Sequence, residues 1–449
     1  MKSFLALSHV AAVAGGLWAV PLAAQDGGAG SGHGQVEALR AEMARLADRV
    51  ETLEAELAAA KGEPAAVPPA PAAPSAGASS ISWKGAPVIE GEGGWSFKPR
   101  GRLQIDAGTI SAPDSLGAVD GFGSEIRRAR LGAEGDIPGG FGYKFELDFA
   151  GGEVELADGI LTYGDGGLTV SIGHHNTFQG LEELTSSRFI STMERAAFTD
   201  AFGFERRLGL STQYAAGAWL VQAGVFSDNA DALSNRNWSV DGRVVAMPEL
   251  GGTRLHLGGS VHYADYEEGT ALRYRQRPFA HFTDTRFIDT GRVEGASELG
   301  MGLEAAAIAG PFHAAAEGFW QQVDRPGALP DPTFFGGYAE IGMFLTPGDT
   351  RGYKRGVFDR VKPANPVGEG GFGAVQINLR YDRLDLVDAG IVGGTHDGYA
   401  VSLVWTPTDY TRFMANYGRM EYANAALPAG EDDRSYGVDT FGVRAQIDF

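Results

Sequence analysis

A closed antiparallel β-barrel of about 16 strands, crossing a membrane and preceded by a short coiled-coil helix, is the all-β fold that the sequence predicts. Three observations lead to it. From about Phe97 to Phe449 apolar and polar residues alternate with a period of two; many apolar faces carry Phe, Tyr or Trp near their ends; and beyond the first turns of chain no apolar run reaches the roughly 20 residues of a membrane-spanning helix. A chain with 66 glycines and 43% hydrophobic residues suits many short strands that are apolar on one face only. There is no cysteine, which excludes a disulfide framework and a thiolate metal site.

The elements follow in order. "MKSFLALSHVAAVAGGLWAVPLAAQD" has Lys2, an apolar stretch from Phe4 to Val20 and small Ala23 and Ala24, the pattern of a secretory signal over residues 1–24. Apolar residues then recur at Val36, Leu39, Met43, Leu46, Val50, Leu53 and Leu57 in steps of three and four, a heptad seam that predicts a coiled-coil helix over residues 35–61, with Arg49 placed to reach Glu54 of a neighbouring helix. A solitary amphipathic helix is the alternative. Residues 62–95, rich in Pro, Ala and Gly, read as a semi-extended linker. Residues 96–449 form the expected barrel.

Within it, "FGYKFELDF" sets Phe141, Tyr143, Phe145, Leu147 and Phe149 against Lys144, Glu146 and Asp148. The last strand sets Phe441, Val443, Ala445, Ile447 and Phe449 against Arg444, Gln446 and Asp448. A soluble β-sandwich alternates too, but the aromatic strand ends and the lack of a visible core of large aliphatic residues favour lipid on the apolar side. The polar side then faces a water-filled lumen, because only a closed barrel satisfies every backbone group in hydrocarbon.

The polar faces are rich in arginine. Lys98, Arg100, Arg102, Gln104 and Asp106 share one side; Arg128 and Arg130 point inward with Arg127 at a rim; and "ALRYRQRP" places Arg273, Arg275 and Arg277 on one strand face without an acid between them. Guanidinium groups in a confined wall focus potential and hydrogen-bond carboxylate or phosphate oxygens in pairs, which points to anion passage. The competing expectation is that Glu134, Glu146 and Asp148 neutralise these arginines within the wall. His174 and His175 offer pH-dependent charge or, less well placed on opposite sides of a strand, a metal site. His174, Asp158 and Ser186 can be assembled into a triad, yet no nucleophile elbow or metal-ligand spacing frames them, so no enzyme, metal or cofactor is expected.

The segment "GLEELTSSRFISTMERAAFTDAFGFERRLGL", with "GRLQIDAG", "RRARLGAEG", "YKFELDFAGG", "LADGILTY", "RYRQRPFAHFTDTRFIDTG", "FLTPGDTRGY" and "FGVRAQIDF", resembles the phosphate- and polyphosphate-selective porins O and P of Gram-negative outer membranes. The resemblance implies a homotrimer of 16-stranded barrels in the outer membrane, bordered by lipid and lipopolysaccharide; the coiled coil, standing before the first strand, is expected in the periplasm, and no nucleic-acid partner is expected. The resemblance also implies a loop after the fifth strand, about His174 to Phe204, folded into the pore, and an arginine ladder carried onto Arg102, Arg128, Arg130, Arg195, Arg273, Arg275 and Arg277. Asp158, His174, Asn176, Arg206 and Arg207 would surround the narrow zone. One departure stands out: "GHHNTFQG" has Asn176 where many relatives have lysine and Phe178 where they have proline, a weaker cationic constriction. Passive diffusion of small anions is the function expected, with a structural tether that uses the barrel as an anchor as the alternative.

Overall fold

The computed structural model describes residues 32–61, 79–117, 120–234 and 236–449; the signal segment and residues 62–78 of the linker lie outside them. Residues 1–75 and 76–449 are separate units. In the first, Gly32–Lys61 is an α-helix along which Met43, Leu46, Val50 and Leu53 are exposed. In the second, sixteen strands form a barrel: β1 (Ser96–Ser111), β2 (Gly121–Ile137), β3 (Phe141–Asp148), β4 (Glu155–Asp165), β5 (Leu168–Asn176), β6 (Arg206–Ala216), β7 (Trp219–Phe226) and β8 (Trp238–Ala246). The second half comprises β9 (Thr253–Asp265), β10 (Ser297–Ala309), β11 (Phe312–Asp324), β12 (Thr333–Phe344), β13 (Ala374–Asp388), β14 (Ile391–Thr408), β15 (Thr411–Ala423) and β16 (Tyr436–Asp448). Each pairs antiparallel with the next, and β16 closes on β1, with Arg444 opposite Asp106. A hairpin of Ser80–Trp83 and Pro87–Glu90, inside the stretch read as linker, extends onto the start of β1 through Ile89 and Phe97.

Burial is inverted relative to a soluble protein. The side chains of Arg243 and Arg444 are 0% exposed, whereas Leu303 is 63% and Ile341 60% exposed. Many exposed aromatic residues fall near strand ends, with Phe141, Tyr214, Trp219, Phe312 and Phe413 towards the end that holds Ser96 and Phe449, and Phe122, Phe149, Trp238 and Trp320 towards the other, while Tyr381, Tyr399, Tyr417 and Phe441 lie mid-strand. This is the arrangement of a lipid-facing band between two interfaces. Leu303→Arg, which places a cation in that band, is expected to cost about 2–4 kcal/mol and to lower the fraction that folds into lipid vesicles, read by the gel-mobility shift of the folded barrel.

The lumen departs from the expectation of a wholly wetted duct. Residues 177–205 between β5 and β6, 266–296 between β9 and β10, and 345–373 between β12 and β13 turn inward. Phe198, Phe202 and Phe204 of the first pack with Tyr274, Phe287 and Ile288 of the second and with Phe319, Phe334 and Leu384 of the wall. Phe358 of the third joins this core. A large apolar core therefore exists inside the barrel. It escapes a strand-by-strand reading because most of its aromatic residues come from loops. Gly336 on β12 admits it, since an added Cβ there would fall 2.3 Å from that of Phe198.

Candidate functional site

The 177–205 loop is held by the polar inner faces of the strands. At Gly180, φ is +87° and a Cβ would lie 2.5 Å from the Glu317 carboxylate. The glycine lets the N–H groups of Leu181 and Glu182 donate to Glu317 at 2.7 and 2.6 Å. Further along, the Asp382 carboxylate accepts the N–H of Ala197 at 3.0 Å, and the Ser402 hydroxyl donates to the carbonyl of Ser191 at 2.6 Å. Arg412 donates to the carbonyls of Arg188 and Ile190. Arg444 binds Asp106 through two bonds of 2.7 and 2.6 Å and also reaches the Met193 carbonyl and the Glu194 carboxylate. Each anchor meets a backbone group that the irregular loop cannot pair itself, which is the demand that burial makes on loop backbone.

With the loop so placed, open space survives on the side bounded by β1 to β6. A cavity of about 350 Å³ is lined by Arg100, Arg102, Arg128, Arg130, Lys144, Arg188, Arg195 and Arg206 against only two carboxylates, Asp158 and Glu183. A second cavity, about 260 Å³, is bordered by Arg127, Glu194, Arg277 and His281. Glu183 and Arg195 border both, with their side chains 3.3 Å apart. Burial pushes the Glu183 carboxyl up, against the pull of Arg195. For Glu194 burial acts the same way, but Arg127 and Arg444 hold its carboxyl well below the ordinary value.

The predicted site residues divide. Arg102, Arg128, Arg130, Arg195, Asp158, Asn176 and Arg206 meet at the larger cavity, where Asp158 takes Lys144 at 2.5 Å and Arg206 at 2.9 Å. His175 lines it, whereas His174 does not. Arg207 lies outside both cavities, 3.7 Å from Glu205. Arg273, Arg275 and Arg277 require a correction: they belong to the 266–296 loop and not to a transmembrane strand. Their alternation is inverted, with Tyr274 and Gln276 buried while Arg273 and Arg275 are exposed. Tyr274 donates to Glu298 of the wall at 2.8 Å, which turns the arginines away; Arg273 pairs with Asp289 and Arg277 with Asp284, and of the three only Arg277 borders a cavity.

The acids do much of the neutralising that the sequence allows. Arg100 pairs with Glu134, and Arg130 with Asp148 at 2.7 Å and Glu146 at 3.2 Å. Arg128, by contrast, donates to the neutral Gln104 at 2.9 Å. Arg127 is not at a rim. A bulge in the β1–β2 register, between Gln104/Arg128 and Ile105/Ile126, leaves it unpaired in the ladder and turns it inward, where it grips Glu194 with two bonds of 3.0 Å. Strict alternation assigns Arg127 and Arg128 to opposite sides, so nothing in the pattern reveals this. Glu183 and Arg188 lie in a motif that the resemblance picks out, but their role as cavity wall depends on the loop's fold.

Comparisons with known proteins bear on the fold and the family. A protein of Caulobacter vibrioides described as uncharacterized is 44% identical over 452 residues, covering 92% of this chain and 90% of its own length. Among solved structures, OprB of Pseudomonas putida at high pH superposes with a TM-score of 0.52 at 13% identity, over 80% of this chain and 95% of that one. The anion-selective porin of Comamonas acidovorans does so with a TM-score of 0.50 at 12% identity, over 79% and 100%. These two share the fold. The family of the phosphate-selective porin O and P matches residues 97–449, nearly the entire barrel, and with a closed 16-stranded wall around an inward loop the chain belongs to that family of outer-membrane porins.

Proposed function

We propose that the barrel conducts small anions along an arginine-lined path, and that it works as a homotrimer with the N-terminal helices joined in a coiled coil on the periplasmic side. The single observation that carries the reading is the excess of eight cationic side chains over two carboxylates around the larger cavity. In a low-dielectric wall such an excess concentrates anions and repels cations. The path runs from Arg277 and Arg127 past the Arg195–Glu183 pair to Arg128, Arg130 and Arg102. Glu134, Glu146, Asp148 and Asp448 pair with Arg100, Arg102, Arg130 and Arg188 from behind the lining, and a positive balance still remains, because Arg128 hydrogen-bonds the neutral Gln104 and Lys144 and Arg206 share one carboxylate. With Asn176 in place of a lysine, the family's phosphate specificity gives way here to a broader acceptance of anions.

Reconstituted in planar bilayers under a KCl gradient, the protein is expected to show reversal potentials of chloride preference. A potassium preference would overturn the reading, and a closed barrel would leave the tether. Acidity adds a signature. Because burial raises the Glu183 carboxyl, it loses its charge on acidification before an ordinary glutamate does. Anion preference should therefore rise as pH falls through the mildly acidic range. Glu183→Gln should show the higher preference at neutral pH and lose most of the pH dependence, measured by the same reversal potentials.

A further inference from the structure

The larger cavity has two chemically different walls. Beside the guanidinium groups of β1 and β2 and the ammonium of Lys144 on β3 stand Thr162, Ser171 and Ser211, direct neighbours across β4, β5 and β6: Thr162 faces Ser171, and Ser171 faces Ser211. Residues paired in this way hold their side chains roughly 5 Å apart on one face, so three hydroxyls form a row across the strands. Gln213, on the same strand as Ser211 and two residues on, adds an amide to this wall. Neither Thr162 nor Ser171 has a side-chain partner among the described residues. The buried Oδ1 of Asn176, at the edge of the same wall, has no hydrogen-bond partner either. Phe178 presents an aromatic ring to the space.

A bare inorganic anion engages only the cationic side and leaves this row to water. At about 350 Å³ the cavity is larger than such an ion needs. We propose that the site is built for phosphorylated sugars: the phosphate lies against Arg128 and its neighbours, the ring hydroxyls bond Thr162 and Ser171, beside a Ser211 whose hydroxyl already meets His175 at 3.2 Å, and the apolar face of the ring rests on Phe178. Hydroxyl groups both donate and accept, as sugar hydroxyls do, so the row matches such a ligand without adding charge. The inference rests on the proposed anion path through this cavity and names its substrate class.

Block of the chloride current tests it, with glucose 6-phosphate, inorganic phosphate and glucose as probes. Two added hydrogen bonds predict that glucose 6-phosphate blocks at a concentration about tenfold below inorganic phosphate. Glucose alone is expected to block weakly. The double variant Thr162→Val/Ser171→Ala should bring the two phosphates to equal potency, and Ser171→Thr, which keeps the hydroxyl, should preserve the difference. Equal potency in the unaltered protein, or a difference that survives the double variant, overturns the inference. Absence of chloride preference in the KCl gradient would instead remove the anion path itself, so the two failures are read separately.

Discussion

Arg444→Ala is expected to weaken the barrel and widen the pore together. Arg444 stands on β16 where the sheet closes, directly opposite Asp106 on β1, and both side chains are 0% exposed. Its guanidinium satisfies Asp106 twice and then bridges to the Met193 carbonyl and Glu194 of the inward loop. Removing it leaves Asp106 buried without its counter-ion, a change worth about 3–5 kcal/mol when one partner of a buried pair is deleted. The expected result is a lower urea midpoint for the folded barrel in detergent. It is accompanied by higher single-channel conductance with poorer chloride preference, because the loop loses its grip at Met193 and Glu194. A second variant separates the two effects. Arg444→Met with Asp106→Leu replaces the pair by apolar side chains, which often restores stability; the midpoint should recover while the conductance stays high. Recovery of both would place the loop's anchor elsewhere.

The membrane barrel was legible because its signal is periodic and local. Each lipid-facing strand declares its outer side through residues such as Leu103 and Ile105 or Val443 and Ile447, all exposed, and its inner side through Gln104, Asp106 and Arg444, all buried. The closure of β16 on β1 and the total of sixteen strands follow from that pattern and from the length of chain. What lies inside was much less legible. Loops carry no period, so the core formed by Phe198, Phe202, Tyr274 and Phe287 leaves no mark in the alternation. The alternation in the 271–278 stretch is real, yet its apolar side faces the lumen core and its arginines face away, since a period of two reports sidedness without saying which side is wet. Strict alternation misplaces Arg127 for the opposite reason: one extra residue in β2 breaks the period where it matters. The resemblance supplied what periodicity could not, an inward loop after the fifth strand, and Arg195 lies beside the predicted arginines because of it.

The sharpest division between field and contact is expected at Arg128. Most of its neighbours in the larger cavity are spoken for: Arg130 by Asp148 and Glu146, Arg206 and Lys144 by Asp158, Arg195 by Glu183. Arg128 gives one bond to Gln104, and among the described residues no carboxylate forms a salt bridge with it, so its fork is free to hold a passing oxyanion. Hydrogen bonds to charged groups contribute about 1.5–3 kcal/mol, so Arg128→Ala should weaken phosphate block of the chloride current by roughly 10- to 100-fold. Arg128→Lys keeps the charge but not the planar fork. It should therefore retain chloride preference in the KCl gradient while giving up part of the phosphate affinity. Arg130→Ala removes the same charge yet frees two carboxylates, so its main expected consequence is a lower urea midpoint along with reduced chloride preference. If Arg128→Ala left phosphate block where it was, the unpaired guanidinium would lie off the conduction path, and the neutralised arginines would have to account for whatever selectivity remains.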